Sequence, residues 1–347
     1  MPEKHFPSAP ATLHDVARLA GVSYQTVSRV INHSPNVSAE TLEKVNQAIA
    51  ALNYRPNRVA RSLVTGKSNA IHVLALDVYH LRMLPAMHEG AHEHGFQLRL
   101  TGFRSSENVL HDLDACLRDI AASGPDGLLI VLPWALTTEQ DLIGLVRNIP
   151  FVVVGNRLGY GTNAVLIDQR EGTRMAIEHL LSLGHRKFAL IDGPSQYYDA
   201  QIRSETARKI LAERQAELVA AAQGNFSMPS GYEAMQQLLE SGTTFTALFC
   251  ANDEMALGAM RALKDRGLHI PQDISVVGFD DLSFTAYCDP PLTTVRQDFH
   301  ALGAHALQHL LSLLKMPNTA PHQRLLYPEL IVRQSTSTPS VRPARGG

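Results

Sequence analysis

Short apolar runs alternate with helix-like stretches through most of this chain, and no other feature constrains its fold as strongly. The runs are IHVLAL (71–76), GLLIVL (127–132), FVVVG (151–155), FALIDG (188–193), ALFCAN (247–252) and SVVGFD (275–280). Their continuous hydrophobicity is typical of strands that are buried on both faces of a sheet. The stretches between them, such as MAIEHLLSLG, are amphipathic and close on a glycine, as helices commonly do. The pattern therefore predicts an α/β fold with parallel sheets and helices on both sides.

Six such runs are too many for one small sheet, which indicates two similar lobes joined by crossing strands. The chain has 347 residues, more than one hydrophobic core usually serves. We expect the first lobe over residues 69–168 and 298–324, and the second over residues 169–297 and 325–336. Sheets of this kind bind ligands beyond the carboxyl ends of their strands, so a ligand site is expected in the cleft between the lobes.

A different pattern comes first, in residues 12–32, and it predicts two short helices joined by a tight turn at Gly21. Thr12 and Asp15 have the spacing of a capping box, and Ser23 is a natural N-cap for the second helix. The apolar positions predicted to face inward are Val16, Ala17, Leu19 and Ala20, then Val27, Val30 and Ile31. This arrangement is typical of a helix-turn-helix.

Ser38 begins a predicted third helix that closes the core of this small domain. Its apolar positions at helical spacing are Leu42, Val45, Ala48, Ile49 and Leu52. The three helices predict an all-α head over residues 12–55, ahead of the α/β body.

The second helix leaves a polar and cationic face, which has the chemistry that recognises DNA. The first residues of this helix in a helix-turn-helix lie against base edges in the major groove. Tyr24, Gln25 and Arg29 are the predicted base readers, and Arg29 suits a bidentate contact to guanine. Hydroxyl groups, amides and helix N-termini suit phosphates. The predicted phosphate contacts are Thr12, Ser23, Thr26, Ser28, Asn32 and Ser38. The plain alternative is an ordinary helical hairpin with a solvated face.

Charge is distributed in a way that favours DNA contact by the head alone. Residues 1–68 carry eight Lys and Arg against four Asp and Glu, whereas the remainder carries 23 against 29. A basic head is drawn to phosphates, and an acidic body is repelled by them. The composition, with 45% hydrophobic and 18% charged residues, is otherwise that of a well-packed globular protein.

The cysteines and the termini exclude several other classes of protein. Cys116, Cys250 and Cys288 lie far apart without metal-binding or disulfide spacing, so we expect reduced thiols, no metal and no cofactor. No stretch has the length of a membrane span, and MPEKHFPSAPA lacks the apolar run of a signal peptide. We expect a cytoplasmic protein with disordered tails at residues 1–11 and 337–347.

Several strings, taken in order, resemble the lactose-repressor family of bacterial transcription regulators. In the head they are DVARLAGVS, TVSRVIN, VSAET and YRPNRVARSL. In the body they are GTRMAIEHLLSLGHRKFALIDG, ANDEMALGAMRAL, DISVVGFDD and PPLTTVRQDF. The resemblance runs from about Thr12 to Arg333 and implies a two-lobed body with the fold of periplasmic binding proteins. It also implies a homodimeric repressor on a palindromic operator, and the final QSTSTPSVRPARGG lacks the leucine heptad of a four-chain assembly.

The same resemblance implies a hinge helix and linker over residues 56–68. Asn57, Ala60 and Leu63 lie in this segment, where Leu63 would wedge between central base pairs from the minor groove. The alternative is that Leu63 packs against Tyr54 or against its dimer mate. Since the hinge is too short to be stably helical alone, we expect it to fold only when two copies meet on DNA.

An effector pocket is the second expectation from this family. Arg203, Asn252 and Asp280 match positions that hold the effector, and Phe226 and Phe299 match positions where an apolar face packs on it. Amides and carboxylates at strand ends suit polyhydroxylated ligands because they make several hydrogen bonds in fixed directions. The family commonly releases DNA when a sugar binds. We therefore expect a repressor of a carbohydrate-utilisation operon that is released by a small sugar or sugar derivative.

The chain departs from the family at several places, which leaves the effector open. Val131 and Gly155 stand where the lactose-binding pocket has an asparagine and an aspartate. A purine, a nucleoside or a phosphorylated metabolite is therefore the alternative effector. Two further strand-end carboxylates, Asp253 and Asp281, are expected to cap the helices that follow them.

Two strings suggest other activities that we do not expect. His88-Glu89-Gly90-Ala91-His92 satisfies the zinc-protease pattern, but Met87 and Ala91 give its helix an ordinary apolar stripe. Gly66-Lys67-Ser68 ends like a phosphate-binding loop, yet Arg61 stands where the first glycine is required. We expect no enzyme activity.

Overall fold

The structure is a computed structural model with two compact units, residues 1–69 and residues 70–347. The residues it describes are 11–31, 37–55, 67–75, 79–102, 109–131, 144, 146, 149–155 and 161–340.

The described residues of the first unit form a small bundle of three helices. They are α1 (Leu13–Ala20), α2 (Tyr24–Ile31) and α3 (Ala39–Ala51). Gly21 ends α1 with a φ of 65°, a left-handed conformation that glycine adopts without strain. Val16, Val27 and Val45, one from each helix, are fully buried at the centre of the core.

For two leucines, the prediction that they lie in this core is wrong. Leu19 is 56% exposed and Leu42 is 42% exposed. Each lies at the margin of a narrow apolar stripe, and an eight- or thirteen-residue helix in so small a bundle has only one face to bury.

The second unit contains two six-stranded sheets, as the alternation of runs predicts. The first sheet has the strand order β11-β5-β4-β3-β1-β2, and all of its pairs are parallel. Its strands are β1 (Ala70–Ala75), β2 (Gln97–Gly102), β3 (Gly127–Val131), β4 (Phe151–Val154), β5 (Ala164–Ile167) and β11 (Gln323–Leu326).

The second sheet repeats this arrangement with the order β12-β10-β9-β8-β6-β7. Only the short β12 runs antiparallel, against β10. Its strands are β6 (Lys187–Asp192), β7 (Glu217–Gln223), β8 (Ala247–Cys250), β9 (Ser275–Asp280), β10 (Thr293–Arg296) and β12 (Glu329–Ile331). All six apolar runs singled out in the sequence form strands, three in each sheet.

Helices cover both faces of each sheet, which explains why the central strands are apolar on both sides. In the first lobe, the helices whose bounds lie in the described residues are α4 (Leu84–Glu93), α5 (Val109–Ala122) and α10 (Phe299–Lys315). Those of the second lobe are α6 (Gln169–Ser182), α7 (Tyr198–Glu213), α8 (Met228–Glu240) and α9 (Asp253–Asp265). In the first lobe, α4 and α10 pack on one face and α5 packs on the other.

The chain passes between the two sheets three times. The first crossing joins β5 to α6, the second joins β10 to α10, and the third joins β11 to β12. Leu325 and Leu326, assigned to the second lobe from the sequence, pair with β5 and so belong to the first sheet.

The last described residues are held against the second lobe, so the expectation of a disordered tail from residue 337 is wrong in its first part. The Ser337 backbone amide donates to Ser275 Oγ at 3.0 Å, and Ser340 Oγ donates to the Gln272 carbonyl at 2.8 Å. The buried His185 contacts the Ser337 carbonyl through Nε2 at 2.9 Å. Residues 341–347 lie outside the described residues, as do residues 1–10 of the expected N-terminal tail.

None of the helices in the described part of the chain combines the length and the hydropathy that a membrane crossing requires.

Candidate DNA interface and effector site

The predicted base readers lie on the open face of α2. Tyr24 is 47% exposed, and Gln25 and Arg29 are exposed as well. Val27 and Val30, on the opposite side of α2, are buried in the core. The helix therefore presents an aromatic ring, an amide and a guanidinium outward, which is a suitable set for reading base edges.

His14 of α1 adds a second ring to this face, and no sequence pattern indicates it. Its imidazole stacks on the Tyr24 ring, with centroids 4.9 Å apart and planes inclined by 27°. Both side chains are exposed. Residues ten positions apart on different helices carry no periodic signal, so only the packing of α1 against α2 reveals this contact.

Three of the predicted phosphate contacts are N-caps, as their sequence contexts indicate. Thr12 and Asp15 form the capping box, and hydrogen bonds from the Thr12 side chain and backbone lower the pKa of Asp15. Ser23 Oγ accepts from the Thr26 amide at 3.1 Å, and Ser38 Oγ accepts from the Thr41 amide at 3.3 Å. These hydroxyls fix the helix N-termini, where backbone N–H groups face outward and suit an anion.

Thr26 and Ser28 are half-buried on α2. Asn32 and the hinge residues Asn57, Ala60 and Leu63 lie outside the described residues.

Arg203 of α7 occupies the centre of the predicted effector site and is only 2% exposed. Its Nε donates to Gln169 Oε1 at 2.9 Å, and its Nη1 donates to the Ala251 carbonyl. Its Nη2 lies 3.6 Å from Asp280 Oδ1, and the guanidinium carbon lies 3.8 Å from the centroid of the Phe279 ring. Arginine is suited to such a position because its planar fork offers donors in several fixed directions.

Asp280 ends β9 and meets Arg203 where the strands of the second sheet finish. Its φ of 116° is unusual for a residue other than glycine, and Asp281 follows with a φ of 53°. Strained backbone of this kind is concentrated at functional sites. The carboxylate of Asp280 accepts a hydrogen bond from Gln297 Nε2 at 2.6 Å. The structure therefore brings two of the predicted effector residues together as a buried pair.

Asp253 lies beside this pair and does not cap its helix as expected. It is fully buried, and its carboxylate accepts from the Leu282 amide at 2.8 Å and from Thr294 Oγ1 at 2.5 Å. Burial, followed by the nearby charge of Asp280, raises the pKa of Asp253 well above its ordinary value. The capping residue is Asn252, one position earlier.

Asp281 is not a helix cap either, because one arginine at the end of β10 and another just after β12 bind its carboxylate. Arg296 Nε donates to its carboxylate at 2.7 Å and Arg333 Nη2 at 2.6 Å. Burial alone would raise the pKa of Asp281, but hydrogen bonds from Arg333, Arg296 and Thr285 bring it below its ordinary value. Asp281 therefore remains ionised and ties the ends of β9, β10 and β12 together.

Asn252 uses both ends of its amide within the protein. Oδ1 accepts from the Met255 amide at 2.9 Å, and Nδ2 donates to the Phe226 carbonyl at 2.8 Å. The Phe226 ring is half-buried and meets Tyr197 edge-on at 5.6 Å. Asn252 thus positions the loop that carries Phe226.

Phe299 is the first residue of α10 and is largely buried, as an apolar wall of a pocket would be. Arg82, in the short 3₁₀ segment Tyr79–Met83 of the first lobe, lies over its ring at 5.5 Å from the centroid. A guanidinium on an aromatic face is a stabilising arrangement.

The first-lobe positions that depart from the family pattern offer few polar groups. Val131 ends β3 and is buried, and Gly155 follows β4 with a φ of 84°. The loops that leave the carboxyl ends of β1, β2, β3 and β4 lie outside the described residues, at 76–78, 103–108, 132–143 and 156–160.

The segment of α4 that matches the zinc-protease pattern buries its apolar residues and exposes its histidines, as the sequence predicts. Met87 and Ala91 are fully buried, whereas His88 and His92 are exposed with ring centroids 6.4 Å apart. Within the described ranges, no group of three or more histidine, cysteine, aspartate or glutamate side chains is placed to hold a metal ion.

Comparison with known families supports this division into head and body. Residues 12–57 match the family of bacterial regulatory proteins named lacI, and residues 177–336 match the periplasmic binding protein-like domain. The lactose operon repressor of Escherichia coli K12 is 37% identical over 342 residues, which is 96% of this chain and 93% of that protein. The transcriptional repressor PurR of Haemophilus influenzae is 34% identical over 339 residues, 94% of this chain and 99% of that protein.

Solved structures agree with the sequence relatives. The crystal structure of the lac repressor dimer bound to operator and the anti-inducer ONPF superposes with a TM-score of 0.89 at 36% identity, covering 95% of this chain and all of that one. The complex of the regulator CelR with cellobiose gives a TM-score of 0.69 at 30% identity, covering 94% and 99%. This chain therefore belongs to the lacI family of bacterial regulatory proteins and is a DNA-binding transcriptional repressor.

Proposed function

We propose that this repressor binds a palindromic operator as a homodimer and reads bases through Tyr24, Gln25 and Arg29. The exposure of all three on α2 supports this assignment, as does the operator-bound dimer of the related lac repressor. Arg29 makes the bidentate contact to guanine. The phosphate contacts are Thr12, Ser23, Thr26, Ser28, Asn32 and Ser38.

The hinge over residues 56–68 completes the DNA-binding surface in this proposal. Leu63 enters the minor groove between central base pairs, with Asn57 and Ala60 on the same short helix. The hinge folds when two copies meet on the operator, which makes DNA binding sensitive to the spacing between protomers.

The effector is a neutral sugar or sugar derivative that binds at Arg203 and Asp280, and its binding releases the operator of a carbohydrate-utilisation operon. The buried Arg203–Asp280 pair is the observation that carries this proposal. Adjacent hydroxyls accept from a guanidinium and donate to a carboxylate at the same time. Phe226 and Phe299 supply apolar surface for the ring of the sugar, and Asn252 holds the Phe226 loop.

Charge around the pair favours a neutral ligand over a phosphorylated one. Arg203 is flanked by Asp280 at 3.6 Å and by Asp199 at 3.9 Å. A phosphate placed here would meet more negative than positive charge at close range.

The operator is tested by selecting duplexes from a randomised library with purified full-length protein. The expected result is a symmetric consensus that the protein binds as a dimer in fluorescence anisotropy. Selection of no consensus, or of an asymmetric site bound by one chain, would contradict the proposal.

The effector is tested by thermal shift against lactose, cellobiose, ribose, adenosine, hypoxanthine and glucose 6-phosphate. A ligand that binds the folded state raises the melting temperature by mass action. We expect a shift with a neutral sugar, its loss in Arg203→Lys, and release of the selected duplex by the same sugar. Arg208→Lys is the matched control, because Arg208 lies on the same helix but pairs with Asp192 at 2.8 Å. A shift with adenosine, hypoxanthine or glucose 6-phosphate alone would favour the alternative class of effector.

A further inference from the structure

Two buried glutamines connect the first and second crossings between the lobes. Gln169 is the first residue of α6, directly after the first crossing, and Gln297 lies in the second crossing between β10 and α10. Both side chains are buried. Gln169 Nε2 donates to Gln297 Oε1 at 2.7 Å.

This amide pair closes a ring of polar contacts with the predicted effector residues. Arg203 Nε donates to Gln169 Oε1 at 2.9 Å, and Gln297 Nε2 donates to Asp280 Oδ1 at 2.6 Å. Arg203 Nη2 completes the ring at 3.6 Å from the same Asp280 oxygen. Each glutamine acts as donor on one side and acceptor on the other, which an amide can do and a carboxylate cannot.

Burial makes the ring sensitive to the loss of any one member. A buried polar group that loses its partner incurs its full desolvation cost, and buried networks stabilise one arrangement only when every member is satisfied. A ligand hydroxyl that takes the place of a protein partner at Arg203 or Asp280 therefore alters the contacts of both glutamines. Since the two glutamines lie on different crossings, the change reaches two of the three crossings between the lobes.

We propose that Gln169 and Gln297 are positioning residues that hold Arg203 and Asp280 in the observed geometry and lock the two crossings to each other. A ligand that binds at the Arg203–Asp280 pair breaks the hydrogen bonds between the two glutamines and this pair. The lobes then turn relative to each other about the crossings. The inference rests on the proposed effector site, because it assigns the signal that opens the ring. It adds two residues that are not among the predicted effector contacts. These residues transmit ligand binding to the crossings between the lobes.

Isosteric variants separate the two tasks of each glutamine. Gln169→Glu keeps an oxygen for Arg203 but places oxygen against oxygen at Gln297. Gln297→Glu keeps the acceptor for Gln169 but replaces the donor to Asp280 with a second carboxylate. Gln308→Glu, on the exposed face of α10, is the control for adding one negative charge to this region.

The first measurement is hydrogen exchange with mass spectrometry on the ligand-free, full-length protein. We expect Gln169→Glu to speed exchange about three- to tenfold in residues 293–302 as well as in 164–172, as loss of one buried hydrogen bond implies. Gln297→Glu should speed exchange in 164–172 as well as in its own segment. Acceleration confined to the substituted segment would overturn the proposal, since a merely local structural role predicts that result.

The second measurement is affinity for the selected duplex at a temperature at which every variant is folded. Both ring variants are expected to bind about tenfold more weakly without any ligand, because the lobes are no longer held in the repressing orientation. Gln308→Glu should bind like the unaltered protein. Unchanged affinity in both ring variants would overturn the proposal. If the unaltered protein selects no duplex, the proposed function fails, while the exchange experiment still decides whether the crossings are locked.

Discussion

The head and the body place their candidate functional residues in opposite environments. In the head, Tyr24, Gln25 and Arg29 are exposed, and the hydroxyls near them bond to residues three positions along the chain. In the body, Arg203 and Asp280 are buried, and Arg203 bonds to Gln169, 34 positions away. In the proposed function, the head contacts DNA through side chains that are already exposed, whereas the body exchanges internal contacts for ligand contacts.

If the proposed function holds, this difference explains how one chain both recognises DNA and responds to a small molecule. Because the base-reading side chains are exposed, the affinity of the head depends directly on the DNA sequence that it meets. A buried and satisfied network makes binding depend on a change within the protein, and that change is available for coupling to a distant site. Loss of an exposed base reader in the head should therefore affect binding without affecting stability, whereas loss of a buried member of the network in the body should lower stability as well.

The largest effect is expected from Arg203→Ala. The substitution leaves Asp280 buried without its cation and should lower the free energy of unfolding by about 3–5 kcal/mol. Urea unfolding followed by circular dichroism measures this loss. The control is Arg174→Ala on α6, whose side chain is 44% exposed. A loss no larger than that of the control would show that the body tolerates change as the head does.

The next effect is expected from Arg29→Ala, and it should appear in binding rather than in stability. Loss of one bidentate base contact should cost about 1–3 kcal/mol in operator affinity and relax the preference at one base pair. Anisotropy titrations against the selected duplex and its single-base variants measure both quantities. Equal loss on every sequence would assign Arg29 to phosphate contact instead.

A smaller effect is expected from Ser38→Ala at the start of α3. Loss of the cap for the Thr41 amide should lower the stability of the head by about 1 kcal/mol. Ser38→Asp, which can still accept from that amide, serves as the control and should retain stability. The melting temperature of the head, followed by proteolysis or calorimetry, distinguishes the two variants.

The smallest effect is expected from Leu19→Gln. Because Leu19 is 56% exposed, the change in the free energy of unfolding should stay within about 0.5 kcal/mol. Val16→Ala, one turn earlier and fully buried, should be clearly more destabilising. A large loss in Leu19→Gln would place this side chain in an interface.

Local patterns in the sequence predicted the head well because its structure depends on near neighbours. The caps at Thr12, Ser23 and Ser38 follow from side chain and amide three positions apart, which spacing reveals directly. Leu19 and Leu42 were misplaced because periodicity gives the direction of an apolar stripe but not how much of it a small bundle covers.

The sheets show the same limit at larger scale. The buried strands β1 and β9 read as unbroken apolar runs, whereas the edge strand β2 is largely exposed and carries no such run. Side-chain contacts in the candidate effector site are still harder to predict from the sequence. Nothing in the sequence indicates that Gln169 meets Gln297, 128 positions away. Nor does it indicate that Asp253 accepts from the buried Leu282 amide, or that Asp281 pairs with Arg333, when both were expected to cap helices.

The three crossings also determine when the first lobe can be completed during synthesis. Its sheet receives α10 and β11 only after the whole second lobe up to β10 has been translated. Until then, Leu129, Val152 and Met87 lack the leucines of α10 that cover them in the finished protein. The nascent chain thus carries an uncovered apolar surface through much of its translation, and the ribosome must deliver nearly all of the polypeptide before either lobe is whole.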